Sequence, residues 1–152
     1  MPNNNFNSNQ IQNVALSPNS RKLAFVYQNN IYIMAKFFEG LRDAVQITYD
    51  GKENTIYNGI TDWLYEEEIL CQTNAIWWST DSSKVAYIKF NDSRVNNFEF
   101  SMYDNSQYGN LHKLRYPKPD TPNPTAQVLV YNTEIGDTLK LNLPKLLIEK
   151  YK

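Results

Sequence analysis

One segment of this chain occurs twice. Leu16-Ser17-Pro18-Asn19-Ser20-Arg21-Lys22-Leu23-Ala24-Phe25-Val26 aligns with Trp78-Ser79-Thr80-Asp81-Ser82-Ser83-Lys84-Val85-Ala86-Tyr87-Ile88 at an offset of 62, and Ser17, Lys22 and Ala24 match Ser79, Lys84 and Ala86. Each copy reads as a strand, a polar turn and a second strand. Pro18-Asn19-Ser20 and Thr80-Asp81-Ser82-Ser83 supply the turn chemistry. A repeated hairpin of this kind opens a blade of a β-propeller, whose unit is about 40–45 residues. The longer offset implies inserted chain. Units that repeat in this way bury their cores only against stacked neighbours.

The first copy continues through strands over 30–34 and 44–48 to a turn at Asp50-Gly51, giving a four-stranded blade over 14–50. Residues 52–73 are then an insertion. The second blade spans 74–143, with strands over 75–79, 84–90, 127–132 and 138–142 and a long polar and aromatic excursion over 91–123. Residues 1–13 read as a disordered or incomplete leading segment. Residues 144–152 read as a tail, either a short helix or the lead into another blade. The expected fold is all-β, an incomplete β-propeller of about two antiparallel four-stranded blades with a short helical insertion. Propellers close with about 4–8 blades, so the chain reads as a fragment of a larger one.

Composition narrows the partners. The formal net charge is −1, so no electrostatic footprint for nucleic acid is visible. Hydrophobic residues make up 41% and charged ones 20%, which is globular rather than disordered. Aromatics at 14% with only five Gly favour strands. No apolar run approaches the roughly 20 residues that span a bilayer, and residues 1–10 lack the regions of a signal peptide. Cys71 has no partner in the chain, and Cys71 and His112 stand too isolated for a metal cluster. Trp77-Trp78 reads as strand core, one indole on each face.

The insertion carries Glu66-Glu67-Glu68, flanked by Trp63, Leu64, Tyr65, Ile69 and Leu70. Three adjacent carboxylates repel one another and gain from a cation. In a short helical turn two of them can converge on an ammonium through charge-assisted hydrogen bonds. The plain alternative is a solvated acidic helix start, since Asp and Glu suit the first turn.

The blocks around the run shift the weight toward the first. Residues 57–70, Ala75-Ile76-Trp77-Trp78-Ser79, Val85-Ala86-Tyr87-Ile88-Lys89-Phe90-Asn91-Asp92, Tyr116-Pro117-Lys118-Pro119 and Asn123-Pro124-Thr125 resemble, in order, the propeller domain of the dipeptidyl peptidase IV family of serine exopeptidases. That resemblance implies that Glu67 and Glu68 bind the free α-amino group of a peptide substrate and so set cleavage after its second residue. Glu66, Tyr65 and Trp63 are expected to support them, Glu66 as a structural residue or in a salt bridge and the two aromatics by packing the turn. It further implies an arginine for the substrate carbonyl; neither Arg21 nor Arg42 stands at its position. Asn91-Asp92-Ser93 is a glycosylation sequon in a loop after a strand, and the family often carries one in this block.

No G-x-S-x-G elbow occurs, and the single histidine, His112, lies in a polar insertion. The chain alone is expected to hydrolyse nothing and to need no cofactor. The resemblance places it in a parent that is a type II membrane or secreted protein on the extracellular side, with the remaining blades, a peptidase domain and a homodimeric state as expected partners. Family members that lack the catalytic serine serve as accessory subunits of membrane proteins and keep a similar glutamate run. That non-enzymatic reading is the alternative function, since the run does not separate the two branches.

Overall fold

The computed structural model describes residues 6–35, 43–103, 107–142 and 144. The first residues of the leading segment, nearly all of the tail and Arg42 lie outside the described residues.

The first sheet is an antiparallel meander, β1 (Ile11–Leu16), β2 (Leu23–Tyr27), β3 (Asn30–Met34) and β4 (Val45–Gln46). β2 and β3 are buried almost throughout, because side chains alternate across the sheet and both faces carry core. Ala24 and Val26 pair with Ile33 and Ile31 on one face; Leu23 and Phe25 pair with Met34 and Tyr32 on the other. The two strands are joined at Gln28 and Asn29, whose φ angles of 49° and 57° are those of a primed hairpin turn. β1 begins at Ile11, ahead of the boundary that the repeat marked, and Phe6 packs edge-on against Phe25, Tyr27 and Tyr32. β4 stops early: Ile47 N–H still donates to Ile31 O at 2.9 Å, but the Ile31 N–H goes to the Thr48 hydroxyl at 2.8 Å instead of a backbone carbonyl.

The second sheet runs β11 (Asp137–Lys140), β10 (Thr125–Asn132), β7 (Lys84–Asn91). The other edge of β7 is shared end to end by β6 (Ile76–Trp78) and β5 (Ile56–Asn58). β5 lies inside the segment read as an insertion between blades. The chain therefore enters the inner strand, leaves it after Gly59, and returns at Ala75 to complete it. Three backbone bonds close this root: Gly59 N–H to Ile88 O at 3.0 Å, Ile88 N–H to Ala75 O at 3.1 Å, and Ala75 N–H to Gly59 O at 3.2 Å. The later excursion folds back as a two-stranded hairpin, β8 (Asn97–Met102) and β9 (Asn110–Arg115), with Phe98, Phe100, Met102 and Leu111 exposed.

The repeat is the signature of one turn built twice. The N–H of Ser17 and of Ser79 each donates to the carbonyl of the Lys five residues on at 2.9 Å, and each hydroxyl accepts from that Lys N–H at 2.9 Å. Asn19 and Asp81 receive the Ser17 and Ser79 hydroxyls at 2.8 and 2.5 Å. Ser20 and Ser82 take the left-handed conformation, at φ 57° and 60°.

The sheets pack face to face through Val26, Ile31 and Ile33 on one side and Ile60, Ile76, Val85 and Tyr87 on the other. Each fully buried aliphatic contributes about 1.5–3 kcal/mol relative to exposure. Polar bonds cross the same seam: Trp78 Nε1 donates to Ala15 O at 2.9 Å, and Lys22 Nζ donates to Thr133 Oγ1 at 2.7 Å and to Ser82 O at 3.1 Å. Val14 and Leu16 on one outer face, and Trp77 and Val128 on the other, are exposed. The chain is all-β, an incomplete propeller of two blades.

Candidate functional site

The excursion over 60–74 presents the glutamates. Its base is a narrow ladder. Ile60 bridges Asn74, Thr61 N–H donates to Thr73 O at 3.1 Å, and the Thr61 hydroxyl donates to Gln72 O at 3.0 Å. Asn13 on β1 clamps both limbs, with Nδ2 donating to Gly59 O at 3.0 Å and to Asn74 Oδ1 at 2.8 Å. The tip is a short π-helical turn, Tyr65–Leu70, closed by Cys71 at φ 53°. Such wide turns are rare and concentrate at functional positions.

Asp62 starts the turn. Its Oδ1 accepts from Tyr65 N–H at 2.7 Å and its carbonyl from Glu66 N–H at 2.9 Å, which satisfies donors that a helix start leaves unpaired. Tyr65 lies against Phe90 of β7 with ring centroids 4.5 Å apart. Trp63 meets Tyr116 at 4.7 Å, which joins the first excursion to the chain returning from the second. Glu66 accepts from the Thr73 hydroxyl at 3.1 Å, a neutral partner that ties it to the returning limb in place of a salt bridge, in line with the structural one of its two expected roles. Glu67 and Glu68 are exposed, and among the described residues neither carboxylate has a partner. The turn thus ties down its first glutamate and leaves the next two free. Asn91 ends β7, and its Oδ1 accepts from Ser93 N–H at 2.9 Å.

A second carboxyl pair lies beneath. Asp62 and Asp92 are each 1% exposed and share a side-chain hydrogen bond. Asp62 Oδ2 and Asp92 Oδ1 accept from no donor group of the described residues. Burial first, then the Asp62 charge and its bond, push Asp92 up to about 7, and Arg115 opposes them. Burial also raises Asp62, against the hydrogen bonds from Tyr65, Asp92 and Leu64. Two like charges in a dry site ionise together only at a cost, so below about pH 7 the pair shares one proton, which Asp92 donates to the Asp62 carboxylate. Tyr57 on β5 is pushed up to about 12 by burial and by these two carboxyls. Arg115 of β9 spends its donors on backbone, Nη1 on Val95 O at 2.6 Å and Nε on Asn54 O at 3.1 Å.

The glutamate run drew attention in the sequence; Asp62 and Asp92 did not. Asp62 stands three residues before Tyr65, the spacing of a helix cap, which was the available signal. Asp92 was visible only as the middle of a sequon.

The fold defines a segment of a β-propeller that carries a short π-helical turn between two halves of one strand. The profile described as "Dipeptidyl peptidase IV (DPP IV) N-terminal region" matches residues 2–152, and the chain belongs to this family. It is 44% identical to "Prolyl endopeptidase FAP" of Mus musculus over 123 residues, 81% of this chain and 16% of that protein. It is 41% identical to "Dipeptidyl peptidase 4" of Sus scrofa over 127 residues, 82% and 16% respectively. The crystal structure of Porphyromonas gingivalis dipeptidyl peptidase 4 superposes with a TM-score of 0.80 at 36% identity, over 88% of this chain and 18% of that one. The chain thus spans about a sixth of the length of these curated relatives.

Proposed function

We propose that this chain is the substrate-recognising part of a dipeptidyl peptidase IV-like exopeptidase, in which Glu67 and Glu68 hold the α-ammonium of the peptide. What carries the reading is that these two carboxylates are the unpaired members of a run whose base is fixed by Asn13, Asp62 and Tyr65. An α-ammonium offers three donors, which two adjacent carboxylates can take together. The requirement for a charged amino terminus makes the site an end-reader.

The test is made in the full-length protein with chromogenic dipeptides, free and N-acetylated. Glu67→Gln and Glu68→Gln each turn a charge-assisted bond into a neutral one, and kcat/KM for the free-amino substrate should fall on the order of 10²-fold. Labelling by a small serine reagent should change little. Unchanged dipeptide release, or an equal loss of labelling, removes the amino-terminal role. No turnover by the unsubstituted full-length protein favours the non-enzymatic branch. The reading places the chain on the extracellular side with a glycan on Asn91; secreted protein whose mass is unchanged by deglycosylation of that site rejects the glycan.

A further inference from the structure

The pair Asp62–Asp92 joins the presenting turn to the blade beneath it. Asp62 holds the first turn through two of its own oxygens, on Tyr65 N–H and Glu66 N–H. Asp92 is fixed on the other side: its N–H donates to Thr55 O at 2.8 Å, beside β5, and its carbonyl accepts from Val95 N–H at 2.9 Å. The contact between the two side chains is thus a bond between two separately anchored segments, and it lies out of water. Titratable groups face it from each packed element: Tyr57 from β5, Tyr65 from the turn and Arg115 from β9; Glu53 acts on Tyr57 and not on the pair. Arg115 is held to the carbonyls of Val95 and Asn54, so it attracts the pair without bonding it.

We propose that Asp92 is a positioning residue: the proton it shares with Asp62 is a latch that keeps the glutamate turn seated on the blade, and its loss unseats the turn. With the proton present, the Asp92 hydroxyl donates to the Asp62 carboxylate, and Asp62 remains the cap of the turn. Without it, two carboxylates meet in a buried site with no donor for Asp62 Oδ2 or Asp92 Oδ1. The displacement falls on the Asp62 side, since its segment leads into a six-residue turn while Asp92 directly follows the eight-residue strand β7. Presentation of Glu67 and Glu68 then weakens as the medium turns alkaline. The latch concerns the turn itself; its effect on peptide binding rests on the function proposed above.

Amide hydrogen exchange of the full-length protein tests it, read at Tyr65 and Glu66 relative to Val26 and Phe90 in the two cores. In the wild type the relative protection should fall as pH rises through about 7, approaching tenfold for each further pH unit. Asp92→Asn supplies a permanent amide donor in the same shape, so its relative protection should stay flat. Asp62→Asn keeps a capping oxygen and an amide toward Asp92, and serves where the first variant does not fold. A wild type without the fall, or an Asn variant with the same fall, overturns the latch. The KM for a free-amino dipeptide is measured alongside. The ratio of wild type to Asp92→Asn cancels the titration of the substrate's own amine, and it should rise with pH. A protection change with a level KM ratio upholds the latch and counts against Glu67 and Glu68 as the amino-terminal site.

Discussion

Gly59→Ala tests the root of the excursion. Gly59 has φ +74°, where an L side chain is strained, and a Cβ there would sit 2.7 Å from Cδ1 and Cγ1 of Ile76 and 3.0 Å from Cδ1 of Ile31. Both isoleucines belong to the core between the sheets, so neither has room to swing away. The left-handed backbone costs about 1–2 kcal/mol and overpacking a filled core about 1–3 kcal/mol. The sum is about 2–5 kcal/mol. Gly136→Ala is the control: its φ is also +74°, but the nearest atom to a new Cβ is Tyr131 Oη at 3.8 Å. It should show the backbone part alone. Urea unfolding can be followed by tryptophan fluorescence, because Trp63, Trp77 and Trp78 all lie in the second sheet or its excursion. With a slope of about 1–3 kcal/mol per molar urea, the overpacking part alone should lower the Gly59→Ala midpoint by about 0.3–3 M beyond the control. Adding Ile76→Ala opens the space, so the double variant should cost less than the sum of the singles. If Gly59→Ala cost no more than Gly136→Ala, the steric account of this root would be wrong.

Trp78→Phe keeps most of the ring but removes the bond to Ala15 O that crosses between the sheets. It should destabilise by about 1–2 kcal/mol, which equilibrium unfolding measures, and no loss would place that bond among the neutral ones. The Asp62–Asp92 pair predicts a stability slope. Asp92 titrates near 7 in the folded chain against an ordinary 3.8, so the folded form keeps a proton that the unfolded form has lost. Stability from this group is full below about pH 4 and is lost as pH rises through about 7, by at most about 4 kcal/mol at about 1.4 kcal/mol per pH unit. Urea midpoints at about pH 5 and about pH 8 should differ in that direction in the wild type and not in Asp92→Asn; a midpoint that rises with pH contradicts the pair.

What the sequence disclosed follows from the range of the interactions. The two hairpins were legible because each is a local turn with its own hydrogen-bond pattern, Ser17 to Lys22 and Ser79 to Lys84. β2 and β7 were legible as apolar runs. β5 was not: three residues carry no period, and Ile56–Asn58 is a strand only because Lys89 to Asn91 lie alongside. The glutamate turn was marked by its charge, yet its support was hidden. Asp62 and Asp92 are buried together from opposite ends of β5 and β7, and nothing in either neighbourhood announces a carboxyl partner 30 residues away. Asn13 is equally silent in the sequence, though it reaches both Gly59 and Asn74.

The triangle of backbone bonds among Gly59, Ala75 and Ile88 makes the inner strand a socket. The strand's two halves hold their register on β7 whether the chain between them is long or short, because each half pairs with β7 on its own. Length and composition of the plugged-in segment are thereby uncoupled from the sheet, and loop closure grows only slowly in cost with added residues. A propeller built this way can exchange the segment between Gly59 and Ala75 for another without redesigning a blade. The same socket offers a grafting point, between residues 59 and 75, at which a foreign loop with closely spaced ends would inherit the orientation that now aims Glu67 and Glu68.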